Sequence, residues 1–140
     1  MQNINNISNY MHAALGQAHK AREIDEVPVG AVVVLDGEII GVGHNTSISA
    51  SDPTSHAEIN AIRSACKKIG NYRLPGAELY VTLEPCSMCV GAMVHARIKT
   101  LVFGASDPKT GAAGGVSDLV NIEQHKHKME VVSGVMEAEC

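Results

Sequence analysis

The stretch GAVVVLDGEIIGVG, running from Gly30 to Gly43, constrains the fold more than any other part of the chain. Two β-branched runs flank Asp36-Gly37, a pair that tolerates the positive φ angles a two-residue hairpin turn requires. Strands are expected over 30–35 and 38–43. Before the hairpin, Ile7, Met11, Ala14, Leu15, Ala18 and Ala21 recur at intervals of three and four, the spacing of an amphipathic helix that must stop before Val27-Pro28. After it, helical and strand patterns alternate. A second helix is expected to start at His56, with an apolar stripe of Ile59, Ile62, Ala65, Cys66 and Ile69 and with Lys67 and Lys68 in its last turn before Gly70. AELYVTL reads as a strand, Pro85 as a helix start, SMCVGAMVHARI as a third helix, TLVFG as a fourth strand and MEVVSGV as a last one. Strands alternating with helices behind an opening hairpin predict an α/β fold, a three-layer α/β/α sandwich around a mixed five-stranded sheet.

At 140 residues the chain fits one domain, 1–140, with a core of its own. Hydrophobic residues at 45% and charged residues at 19% exclude a disordered or fibrous protein. With no Trp and Phe103 as the one Phe, that core must be built from Val, Ile, Leu, Ala and Met. The N-terminus lacks a basic stretch followed by an apolar run, and no later segment is long enough to span a bilayer, so a cytoplasmic location and no membrane partner are expected. In that compartment Cys66, Cys86, Cys89 and Cys140 are poor disulfide candidates, and a close Cys pair points to metal or redox chemistry. The net charge of −4 weighs against broad, sequence-blind binding of nucleic acid but leaves room for a local basic patch.

Cys86 and Cys89 stand one turn apart at the start of the third helix, where two sulfurs can converge on one ion and the helix N-terminus favours thiolate. His56 and Glu58 occupy the first turn of the second helix, with side chains leaning toward its N-terminal end. Two strand-to-helix junctions at one sheet edge would bring all four together. One nitrogen and two sulfurs leave the fourth tetrahedral position of Zn²⁺ to water, the arrangement of a catalytic rather than a structural site. Glu58 is then free to move protons. Taken alone, CxxC also reads as a redox pair or a buried helix start, and HAE as an ordinary helix N-terminus; the combination is what points to catalytic zinc. His12, His19, His125 and His127 fall in polar segments and read as solvent-exposed, whereas His95 and Arg97 suit the end of the third helix. Cys66, Met88 and Met93 read as packing residues, and Cys140 has no evident partner.

HAE and PCSMC resemble the H-x-E…P-C-x-x-C signature of the zinc-dependent nucleobase deaminases. EVPVGAVVV, DPTSHAEINAIR, NYRL, LYVTLEPCSMCVGAMVHARI and VFGASDPKTGAAG are similar to the tRNA-specific adenosine deaminase branch of the cytidine/deoxycytidylate deaminase superfamily, over most of positions 10–115. The resemblance implies a cytidine deaminase-like fold and conversion of adenosine to inosine at the wobble position of a tRNA anticodon, chiefly that of an arginine tRNA. It implies one Zn²⁺ per subunit on His56, Cys86 and Cys89, with Glu58 as the proton shuttle. It also assigns Asn45 as a hydrogen-bond donor to the base, Val27 and Pro28 as its apolar wall, and Asp107 and Lys109 as contacts to flanking RNA, Asp107 by accepting from a ribose 2′-hydroxyl. Asn45 and Asp107 have an ordinary alternative as loop and turn residues, and Val27-Pro28 as a helix stop. A homodimer with the third helix at its interface is implied as well. Members of this branch usually continue with an aromatic-bearing helix and a basic tail where this sequence stops at Cys140, so either the sequence is truncated there or its grip on substrate is weaker. The same metal chemistry also serves deaminases of free bases, nucleosides or nucleotides, and a zinc-stabilised binding or redox module is the alternative of another class.

Overall fold

A computed structural model describes residues 4–115, 118–120 and 127–140; His125 falls outside them, as does part of the Gly/Ala-rich loop after the fourth strand. Eight elements follow in the order α1 (Ile4–Glu23), β1 (Gly30–Leu35), β2 (Glu38–His44), α2 (Ala57–Ile69), β3 (Glu78–Leu83), α3 (Ser87–Ala96), β4 (Thr100–Ala105) and β5 (Glu130–Val132). The expected strands and helices are present, and the strand order across the sheet is β2-β1-β3-β4-β5. β1 runs antiparallel to both neighbours, and β3, β4 and β5 run parallel, so the sheet is mixed. In the hairpin turn Asp36 and Gly37 have φ of 51° and 76°, the positive values that this dipeptide predicts.

The central strands are apolar on both faces because each face packs a helical layer. Val32 and Val34 of β1, Tyr80 of β3 and Val102 of β4 pack with Met11 and Ala14 of α1. The alternate residues Ala31, Val33, Leu79, Val81, Leu101 and Phe103 face α2 and α3. Full burial of a side chain such as Leu79 or Met11 contributes about 1.5–3 kcal/mol, enough to make these two seams the main support of the fold. Tyr10 ties α1 to the rest: its ring lies 5.2 Å from that of Tyr80, tilted by 57°, and its hydroxyl donates to Gly37 O at 2.8 Å.

The stripe expected along α2 differs from the one observed. Ala57, Ala61 and Ala65 are the residues buried against the sheet, Ile59, Ile62 and Cys66 are only partly covered, and Ile69 is exposed. The reason lies in β2. A Cβ on Gly41 would sit 2.5 Å from Ala61 O and 2.7 Å from Ala65 N, and one on Gly43 would run into Ala57 O and Ala61 N. Helix and strand are in backbone contact there, and only Ala fits between them. α2 ends as expected at Gly70, in the left-handed conformation with φ of 75°, its N–H donating to Cys66 O at 2.8 Å.

With β1 antiparallel to its neighbours, β2, β3 and β4 all run the same way and their C-terminal ends share one edge of the sheet. Three connections leave from that edge: 45–56 into α2, Glu84-Pro85 into α3, and the loop after Ala105.

Candidate functional site

Both helices entering from this edge begin on a candidate ligand. His56 is the N-cap of α2, one residue before the helix that was expected to start on it, and Cys86 is the N-cap of α3. Cys89 lies one turn into α3 and is fully buried. His56 Nδ1 is 3.6 Å from Cys86 Sγ and 3.5 Å from Cys89 Sγ, and the three donor atoms lie within 4.8 Å of one another. A tetrahedral zinc with Zn–S of about 2.3 Å and Zn–N of about 2.0–2.1 Å would separate nitrogen from sulfur by about 3.6 Å. Both nitrogen–sulfur separations therefore match those of a zinc site. Each of the three contributes a single donor, which leaves a four-coordinate ion one open position.

The electrostatics favour the thiolate form at Cys86 and oppose it at Cys89. The Cys89 thiol donates to Cys86, and this bond, with the Cys89 amide and His56, lowers the Cys86 pKa to about 5 despite burial. Cys89, as the donor beside a forming thiolate and in a buried position, is shifted upward. Glu58 sits on the first turn of α2 at 4% exposure, and burial raises its carboxyl to about 7. A carboxyl with that pKa can both accept and return a proton near neutral pH.

A cavity of about 210 Å³ opens directly onto these groups, with His56, Glu58 and Cys86 in its wall. Asn45, at 8% exposure, and Val27, at 57%, line it as well, and so does Asp107 from the loop after β4. Pro28 borders a separate groove with Leu15, Arg22 and Thr82, and Lys109 is exposed outside the cavity wall. The Asp107 carboxylate accepts from Lys109 N–H at 2.9 Å, from Thr110 N–H at 3.2 Å and from the Thr110 hydroxyl at 2.9 Å, and the Lys109 amide is the first of the interactions that hold its pKa below the usual carboxylate range.

Val29, Leu83, Glu84 and Thr110 also line the cavity, although no sequence pattern singles them out as site residues. Val29 follows Val27 at strand spacing and is within reach of a periodicity argument. Glu84 gives no such signal, because its contacts are with distant backbone, and Thr110 is held by the Asp107 side chain three residues away in a loop with no periodic pattern.

Buried and half-buried polar groups hold the rim. Glu26 accepts from the Ile48 amide at 3.1 Å and the Ser49 amide at 2.7 Å, which fixes the turn after β2 beside Asn45. Asn60 of α2 donates to His44 O at 2.9 Å and accepts from the Ser55 hydroxyl at 3.2 Å, closing the same connection onto the helix that carries Glu58. Of the residues outside the site, Arg97 donates to Val94 O at 2.7 Å as the C-cap of α3, and His95 is exposed. His12 and His19 are exposed as expected; His127 is half-buried, its Nε2 2.6 Å from Ile98 O.

Compared with protein families, residues 5–139 match the MafB19-like deaminases. The chain is 56% identical over 131 residues to a tRNA-specific adenosine deaminase of Haemophilus influenzae, covering 93% of this chain and 76% of that one. It is 51% identical over 131 residues to a tRNA-specific adenosine deaminase of Bacillus subtilis, covering 94% and 81%. Among solved structures it superposes, with a TM-score of 0.88 and 49% identity over 94% of this chain and 95% of the other, on one from studies of A-to-I editing by tRNA:A34 deaminases at the wobble position of transfer RNA.

Proposed function

Since the chain belongs to the MafB19-like deaminase family and, within it, to the tRNA-specific adenosine deaminases, we infer that it deaminates adenosine to inosine at the wobble position of a tRNA anticodon. The observation that carries this reading is the pairing of a three-donor metal cluster with a buried Glu58 at the wall of one cavity. Residues 1–140 form one deaminase domain in this reading. His56, Cys86 and Cys89 hold one Zn²⁺. Bound there, zinc would supply Lewis acidity and lower the pKa of the attacking water to about 7.

The remaining steps belong to the chain itself. Glu58 takes a proton from the attacking water at its carboxylate and passes it to the ring nitrogen next to C6, then takes the proton of the new C6 hydroxyl and delivers it to the amino group, which departs as ammonia. Water adds at C6 and ammonia leaves, so adenosine becomes inosine. Asn45 orients the base by donating a hydrogen bond, and Val27, with Val29 beside it, gives the base an apolar wall. Asp107 and Lys109 meet the flanking RNA. Pro28 acts by fixing the chain direction next to Val27 rather than by touching the base, which its place on the neighbouring groove favours. An anticodon loop is already single-stranded, so extruding its base requires little unstacking energy.

An arginine tRNA is the proposed substrate, read in the cytoplasm where tRNA is decoded. No described helix is long and apolar enough to cross a membrane. A homodimer through α3 is also part of the proposal, supported by the partly covered Ile59, Ile62 and Met88 around α2 and α3.

The test is inosine formation on an anticodon stem-loop RNA with A at the wobble position, set beside free adenosine and free cytidine, for the native chain and Glu58→Ala. Editing of the RNA alone, lost in Glu58→Ala while zinc remains bound, is the expected result. Turnover confined to a free nucleoside would replace the tRNA reading with that of a nucleoside deaminase.

A further inference from the structure

We propose that Glu84 is a positioning residue that anchors the loop carrying Asp107 and Thr110 to the start of the metal-binding helix, and so sets how well RNA is held beside the reacting base. The proposal rests on the deaminase reading above for its kinetic consequence, but not for its structural one.

Glu84 stands between β3 and Cys86 and is 2% exposed. Its carboxylate accepts from three backbone amides of one loop: Asp107 at 3.0 Å, Ala113 at 2.9 Å and Gly115 at 2.7 Å. Its own amide donates to Ala105 O at 2.8 Å, and the next carbonyl, that of Pro85, accepts from Ala112 at 2.9 Å. A loop of small residues has few side chains with which to pack, so a buried carboxylate serves as its core. Two glycines are cut to fit it. A Cβ on Gly115 would meet Glu84 Oε2 at 2.8 Å and Cδ at 2.9 Å, and one on Gly111 would collide with the same carboxylate.

The consequence is geometric. Asp107 has its amide on Glu84, and its carboxylate in turn holds Thr110, so both cavity-lining residues of the loop refer back to one side chain. That side chain is two residues from Cys86. The groups that would meet flanking RNA are therefore registered against the metal-binding helix directly, not only through β4. Loosening that registration weakens the hold on RNA and leaves the reacting groups themselves in place.

Glu84→Gln keeps the shape but turns one acceptor oxygen into an NH₂ facing amide donors. In native-state hydrogen exchange followed by NMR, the amides of Asp107, Ala113 and Gly115 should exchange at least about tenfold faster in this variant, with those of β1 and β3 unchanged. KM for the stem-loop RNA should rise about 10- to 100-fold, while zinc per chain and kcat at saturation stay within about twofold. If Glu84→Gln does not fold, Gly115→Ala perturbs the same contact from the loop side and carries the same expectations. Unchanged exchange in the loop overturns the proposal, as does loss of zinc, or a fall in kcat, with KM unmoved. Should the native chain edit no RNA, the deaminase reading fails, and the exchange rates alone still decide whether Glu84 holds the loop.

Discussion

Replacing Gly41 by Ala should damage both stability and metal binding, although it adds one methyl group well before His56, the first metal ligand in the chain. The new Cβ would lie 2.5 Å from Ala61 O, 2.7 Å from Ala65 N and 2.8 Å from Ala65 Cβ. Ordinary contact between such atoms needs about 3.5 Å, so α2 must retreat from β2 by about 1 Å. The opposing atoms are mainly backbone, which no rotamer change can move. Overpacking of this kind costs about 1–3 kcal/mol. At roughly 4 °C per kcal/mol for a domain of this size, Tm should fall by about 4–12 °C. The retreat also carries His56 at the end of α2 away from Cys86 and Cys89, now 3.6 and 3.5 Å from its Nδ1, distances a shift of about 1 Å would take outside the range a tetrahedral ion accepts. Zinc affinity, measured by competition with a chromophoric chelator, should fall at least about tenfold. Calorimetry of the zinc-free chain separates the packing loss from the metal loss. Gly16→Ala supplies a comparison of opposite sign: it lies on α1, exposed, where an added Cβ would have nothing within 4 Å, and removing a helical Gly there should stabilise by about 0.5–1 kcal/mol. If Gly41→Ala leaves Tm within about 2 °C and zinc affinity unchanged, the claim that a backbone seam positions the site is wrong.

Three further outcomes are expected. Cys89→Ala should abolish tight zinc binding as well as editing, whereas Glu58→Gln should lose editing and keep its zinc, a contrast readable by metal analysis of the purified variants. Asp107 should titrate below 3.8 in an NMR carboxyl titration of the native protein. Since its folded pKa lies below the unfolded one, its contribution to loop stability is present above the unfolded value and disappears only as pH falls through the lower, folded value. Met93→Ala, at a fully buried position on α3, should lower stability by about 2–5 kcal/mol in denaturant unfolding, the range for emptying a methionine-sized volume in a core.

The parts of this protein that are legible in its sequence are those fixed by local periodicity or by ligand chemistry. Asp36-Gly37 announces a hairpin because few dipeptides tolerate two positive φ angles, and the observed 51° and 76° follow from that limit. His56, Glu58, Cys86 and Cys89 are legible as one set because a helix N-terminus bearing a thiolate pair, and another bearing His and Glu, need only share a sheet edge to meet. The α2 stripe departs from its expected course for an equally physical reason. Hydrophobicity alone favours burying Ile59 and Ile62 over Ala57 and Ala61, and only the approach of β2 at Gly41 and Gly43 reverses the choice, a long-range fact with no mark in the helix itself.

The loop anchors are hidden for a related reason. Glu26, Asn60 and Glu84 act through hydrogen bonds to backbone 16 to 31 residues away, and a backbone amide has no identity that a sequence pattern could match. A buried carboxylate nonetheless needs several donors to offset its desolvation, and such donors are most densely available where a loop turns sharply and its amides lack partners of their own. Connections at the C-terminal edge of a sheet are where those turns occur, and they are also where the cavity is. Buried acids flanking the site, Glu26 before Val27 and Glu84 before Cys86, thus follow from one requirement: irregular backbone must be held rigid beside the reacting groups, and the sheet's own hydrogen bonds end before they reach it.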